Sequence, residues 1–170
     1  KQKKEAIGKK QITIEDQVVN YRELGIELYK IKEYNAAITE FRKVLNVNPD
    51  DSITREYLAK SHFQQGLVLF GKEDYLVARD EFKAALQYDK DCDKCEENIQ
   101  KCENTYKEVH YDRGLAYFGD QKLAEAIAEW EMVHSLDPNY KDVNKNLTKA
   151  KNLLERLESI KRSKAQENKQ

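Results

Sequence analysis

Residues 18–51 read VVNYRELGIELYKIKEYNAAITEFRKVLNVNPDD, and the spacing inside this stretch decides the fold. Tyr21, Leu24, Gly25 and Leu28 are followed by Ala37, Phe41 and Pro49. The same register recurs without gaps as His62, Gln65, Gly66, Leu69, Ala78, Phe82 and Lys90, and again as His110, Arg113, Gly114, Tyr117, Ala126, Trp130 and Pro138. Each glycine precedes its alanine by 12 residues and its large aromatic by 16, which is the mark of an internal repeat. Within the first unit Tyr34, Ala37, Ile38, Phe41, Val44 and Leu45 keep helical spacing, so each unit predicts two amphipathic helices. The breaks between them are expected near Lys32, Gly71 and Gly119, where a glycine can take the left-handed conformation that ends a helix. A glycine inside a helix costs ~1 kcal/mol relative to alanine, and its recurrence at one place predicts a close approach of two helix backbones.

The rest of the chain agrees with a helical protein. It has 170 residues, 39% hydrophobic and 36% charged, which suits one domain with a modest core under a densely charged surface. Two prolines and six glycines supply too little turn chemistry for a sandwich or barrel. No apolar run approaches the ~20 residues of a membrane helix. Three cysteines are too few for a disulfide-stapled secreted scaffold. The chain begins at Lys1 with no visible signal peptide, which reads as a processed chain or a fragment. Residues 1–11 carry +4 and residues 161–170 carry +3, leaving −8 on residues 12–160. An acidic body with short basic ends is a poor binder of nucleic acid, which needs cations clustered on a folded face.

The pattern of large aromatic, Leu-Gly, Tyr, Ala, Phe and Pro resembles the tetratricopeptide repeat, a 34-residue helix-turn-helix unit. The matching units are 18–51, 59–92 and 107–140; the second lacks the final Pro, and His62, Gln65, His110 and Arg113 stand where apolar residues are usual. The resemblance implies an all-α, right-handed helical solenoid. The glycines lie 41 and 48 residues apart, one and two heptads more than 34, so the first helices of the second and third units are expected to be lengthened, over 52–70 and about 93–118. The predicted organisation is a basic tail at 1–11, one domain at 12–162 closed by a capping helix at 141–162, and a flexible tail at 163–170.

Chemistry is sparse. Cys92, Cys95 and Cys102 with His110 suggest a metal site, but Cys95 and Cys102 on one helix stand ~10 Å apart along its axis, whereas two sulfurs on one zinc lie within ~4.6 Å. Cys92 and Cys95 read as free thiols or one local disulfide. They fit neither a thioredoxin-type motif, for want of a βαβ setting, nor haem attachment, since Glu96 follows. Asn146-Leu147-Thr148 matches a glycosylation acceptor inside a predicted helix and is read as accidental. His62 and His110 occupy the place of Tyr21 and read as packing residues. No catalytic triad, carboxylate pair, phosphate loop, metal or cofactor site is indicated, so the chain reads as no enzyme.

A second face beside the packing stripe carries Arg22, Ile26 and Tyr29, then Phe63, Leu67 and Phe70, then Tyr111, Leu115 and Phe118. In tetratricopeptide proteins the first helices line a concave groove for a peptide, and the resemblance assigns these residues, with Lys60, to that groove. Tyr29, Phe70 and Phe118 can equally fill joints between repeats, whereas Phe63 and Tyr111 are expected to be the more accessible. The carboxylate clamp of chaperone-tail binders is not implied, because its positions hold Arg22, Ile26, Gln64, Lys60, Asp112 and Glu108, where several donors are missing or reversed in sign. The expected function is a protein-binding scaffold whose partner is a protein or peptide. The alternatives are a self-associating module, and a redox- or metal-responsive protein using Cys92 and Cys95.

Overall fold

Lys32, Glu73 and Gln121 set the path of the chain. In the computed structural model, which describes residues 13–167, each has a positive φ, of 67°, 66° and 63°, and each stands seven positions after Gly25, Gly66 or Gly114. The residue that follows folds back onto the helix just ended: Glu33 N donates to Leu28 O at 2.9 Å, Asp74 N to Leu69 O at 3.0 Å and Lys122 N to Tyr117 O at 2.9 Å. This is a Schellman closure. The left-handed residue is therefore not Gly71 or Gly119, and no described glycine has a positive φ. Both glycines are the last residues of their helices, two positions too early for that conformation. Holding an L-residue there costs roughly 1–2 kcal/mol, offset by the carbonyls the closure satisfies.

The described residues form seven helices and no strand: α1 (Ile14–Lys30), α2 (Tyr34–Val47), α3 (Ser52–Gly71), α4 (Tyr75–Tyr88), α5 (Asp93–Gly119), α6 (Leu123–Leu136) and α7 (Val143–Glu167). Thr13 and Asp16 cap α1 reciprocally, and the Asp51 carboxylate accepts from Thr54 N at the start of α3. The second helix of every hairpin has 14 residues, while the first helices have 17, 20 and 27. The inserted heptads thus lengthen first helices, and whole heptads leave the buried stripe nearly in phase.

The described residues divide into two units, one up to Ile99 and the other from Gln100. In the first, Ala37, Ile38, Phe41 and Leu58 form a core backed by Ile26, Leu28, Tyr29, Leu45, Tyr57 and Tyr88. A Cβ on Gly25 would fall 2.5 Å from Phe41, and one on Gly66 would fall 2.7 Å from Phe82. In the second unit a Cβ on Gly114 would meet Trp130 Nε1 at 2.3 Å. The glycine in each repeat accommodates an aromatic ring from the following helix, rather than the backbone-to-backbone approach expected from sequence. Tyr111, Ala126, Trp130, Val133, Val143, Leu147 and Ala150 complete the second core.

The unusual residues of the second and third repeats have physical explanations. The place of Leu24, Gln65 and Arg113 faces outward; even Leu24 is 44% exposed, so polar residues there forfeit no burial. His62 and His110 are buried or nearly so, and each Nδ1 lies 2.6 Å from a carboxylate 19 residues on, Glu81 and Glu129. In the first repeat the same places hold Tyr21 and Glu40, bridged by Lys43, which pairs with Glu40 at 2.6 Å and lies over the Tyr21 ring.

Beyond Ala150 the apolar residues of α7 lose their cover, with Leu157 and Ile160 exposed, and the helix continues past Arg162 to Glu167. The basic segment 1–11 and residues 168–170 lie outside the described residues.

Candidate functional site

The helical register of α3 places Ser52, Arg55, Glu56, Ala59 and Phe63 along one side. Within the first unit this side, the end of α4, the loop after it and the first turn of α5 enclose a groove of about 1060 Å³. Ala59, Phe63, Ala85 and Tyr88 give it an apolar floor. That floor is held from behind. Phe63 meets the buried Phe82 edge to face, with centroids 5.4 Å apart, and Tyr88 lies parallel to the His62 ring at 6.0 Å. His62 is itself fixed by Glu81. Two aromatics whose rotamers are set by buried neighbours form a surface that loses little freedom when something docks on it.

Charge surrounds the floor: Asp50, Glu56, Asp89, Asp91 and Asp93 against Arg55, Lys60 and Lys94. Lys60 is committed to Glu56 one turn earlier, and that hydrogen bond raises its pKa above the ordinary lysine range. Cys92 also lines the groove. It is joined by a disulfide to Cys95, which is buried on α5, so of the two readings left open by the sequence the structure has the local disulfide. Cys102 is fully buried. Among the described residues no group of three His, Cys, Asp or Glu side chains could hold a metal ion, and no helix is long and apolar enough to cross a membrane.

Of the residues placed on the second face, Lys60 and Phe63 line this groove. Leu67 and Leu115 are exposed at 41% and 45%. Ile26 and Tyr29 pack against the first core, and Tyr29 meets Tyr57 of the next repeat edge to face, the behaviour of a joint residue. Phe70 rests on Tyr75, and Phe118 on Trp130 with Lys149 over its ring.

Tyr111 corrects the sequence reading. It is 7% exposed, packed edge to face on Tyr140, with its hydroxyl accepting from Asn146 Nδ2 at 3.1 Å. Val143, Leu147 and Ala150 of α7, with Tyr140, pack against it, whereas Phe63 at the same place in the second repeat lines the open groove. Tyr88 and the alternating acids Asp89, Asp91 and Asp93 were not singled out from sequence. The signal available was an aromatic closing the stripe of α4 directly before an acidic run.

Arg22 is engaged structurally. Its Nη1 donates to Asp51 Oδ2 at 2.7 Å, tying α1 to the cap of α3. Burial would raise the Asp51 pKa, but the hydrogen bond from Thr54 N and the Arg22 charge prevail and hold it below the ordinary carboxylate value. A depressed folded-state pKa contributes stability that is present above the unfolded value near 4 and lost as pH falls through the folded one. Asp51→Ala is therefore expected to cost about 1–2 kcal/mol at pH 7. The gap from wild type should shrink below about pH 4, read from urea midpoints between pH 3 and 7. A gap as large at pH 3 as at pH 7 would mean that the carboxylate charge is not its source.

Residues 21–51 match the tetratricopeptide repeat family model. Among curated proteins, nuclear autoantigenic sperm protein of Bos taurus is 29% identical over 91 residues, covering 54% of this chain and 11% of that protein. The DnaJ homolog subfamily C member 7 homolog of Dictyostelium discoideum is 26% identical over 121 residues, covering 68% and 21%. The chain thus spans about a tenth and a fifth of these relatives. Among solved structures, the first TPR domain of human RPAP3 is 22% identical, covers 84% of this chain and 96% of that one, and superposes with a TM-score of 0.31. The C-terminal part of a TPR repeat-containing protein from Cytophaga hutchinsonii is 23% identical, covers 81% and 49%, and gives 0.32.

Proposed function

We infer that this chain, a tetratricopeptide-repeat protein, is a non-enzymatic interaction scaffold that takes a segment of another protein in the groove beside α3. One observation carries the reading: an open groove of about 1060 Å³ whose aromatic floor, Phe63 and Tyr88, is fixed by Phe82 and His62. Small-molecule sites enclose most of their ligand, whereas this groove is open to solvent, which suits a stretch of polypeptide better than a metabolite. Helical repeats present such surfaces to peptides, which insert apolar anchors.

The test is selection of peptides from an unbiased displayed library on the purified protein, followed by titration of the selected peptides against wild type and Phe63→Ala. If Phe63 anchors the ligand, affinity falls by more than about 1 kcal/mol while the far-UV circular dichroism and cooperative melt persist. Peptides that bind Phe63→Ala as tightly as wild type would place recognition elsewhere.

A further inference from the structure

Charge around the floor is not balanced. Five carboxylates face three cations, and the pairing of Lys60 with Glu56 leaves four carboxylates against two cations, Arg55 and Lys94. Asp50, Asp91 and Asp93 have no ion-pair partner among the described residues, and Asp89, Asp91 and Asp93 are exposed. The C-terminus of α4 and the N-termini of α3 and α5 all border the groove, so the side-chain charges, not the helix dipoles, set its sign. The two floor aromatics add ring faces that attract a guanidinium or ammonium group. An acidic peptide would have to approach this excess of carboxylates, whereas a cationic one is drawn to it.

We propose that the groove selects a cationic segment of a partner protein, one apolar side chain seated between Phe63 and Tyr88 and flanking Lys or Arg side chains reaching Asp89, Asp91 and Asp93. The proposal rests on the groove reading above and adds the chemistry of the occupant. The apolar anchor supplies a fixed register, because the floor of Ala59, Phe63, Ala85 and Tyr88 desolvates it. The acidic rim supplies sign selectivity and a salt-dependent association rate. Arg is favoured over Lys where a side chain crosses an aromatic face, since a planar guanidinium both stacks and pairs bidentately with a carboxylate.

The experiment uses the full chain and three fluorescent peptides of equal length: Lys/Arg-rich with one central Leu, the same with Glu in place of each Lys and Arg, and Lys/Arg-rich with Gly in place of Leu. They are titrated at about 50 and 200 mM salt against wild type, Phe63→Ala and the triple variant Asp89→Asn, Asp91→Asn, Asp93→Asn. The substituted aspartates are exposed, and circular dichroism verifies that each variant is folded. Tightest binding of the Leu-bearing basic peptide, weakened about tenfold or more by the triple variant and separately by Phe63→Ala, supports the proposal.

Equal or tighter binding of the acidic peptide would overturn the cationic selectivity. If that binding still depends on Phe63, the groove itself survives. Binding of the Leu and Gly peptides alike, indifferent to Phe63→Ala, would mean attraction by surface charge alone and would overturn both.

Discussion

Trp130→Ala is expected to lower the stability by about 3–5 kcal/mol, a large share of the 5–15 kcal/mol typical of a folded domain. Trp130 is 1% exposed and rests on Gly114. Its Nε1 donates to Tyr111 O at 3.1 Å, and Phe118 packs beside it at 5.7 Å. Removing the indole leaves a cavity over a residue that has no side chain to fill it. Trp130→Phe restores the aromatic found at the same place in the other repeats, Phe41 and Phe82, and loses chiefly one hydrogen bond, worth about 1 kcal/mol. Because Trp130 is the only tryptophan, unfolding in urea is to be followed by circular dichroism. The alanine variant should show a much lower midpoint at an unchanged slope and the phenylalanine variant a small shift. Equal losses from the two substitutions would show that filling the space over Gly114 is not what matters.

The parts of the fold legible in the sequence are those governed by period. Gly25, Gly66 and Gly114, with an aromatic 16 residues on, located three hairpins, and glycine spacings of 34 plus whole heptads located the lengthened α3 and α5. Local chemistry was less transparent where two residues could do one job. Gly71 and Gly119 looked like the left-handed residues, but hydrogen-bond geometry assigns that conformation to Glu73 and Gln121.

Burial of His62 and His110 was legible, but their carboxylate partners were not sought, although Glu40, Glu81 and Glu129 recur at a fixed offset of 19. At the candidate site, Phe63 and Lys60 followed from one helix face. Tyr88 and Asp89–Asp93 join that face only through the packing of α4 and the start of α5 onto α3, which no local pattern encodes. Tyr111 failed for the converse reason. Its face is like that of Phe63, but α7 and Tyr140 cover it.

The same substitution at two glycines of one helix is expected to have opposite signs. Gly71 ends α3 with nothing within 4 Å of an added Cβ and a φ outside the positive region. Alanine there reduces the freedom of the unfolded chain at no steric cost, so Gly71→Ala should stabilise by about 0.4–1 kcal/mol. Gly66→Ala has the same entropic advantage, but its Cβ would lie 2.7 Å from Phe82 Cε1 and 2.9 Å from Cδ1 and Cζ. Phe82 is fully buried and in edge contact with Phe63, so the ring has nowhere to retreat without moving the groove floor. Overpacking of this kind costs about 1–3 kcal/mol, which exceeds the helix-propensity gain.

If the ring is the cause, trimming it should relieve the clash. Phe82→Leu alone is destabilising, yet the double variant Gly66→Ala, Phe82→Leu should be more stable than the sum of the singles by at least about 0.5 kcal/mol. Additive losses in urea titrations of the four proteins would remove the ring-over-glycine contact as the reason this repeat requires glycine at position 66.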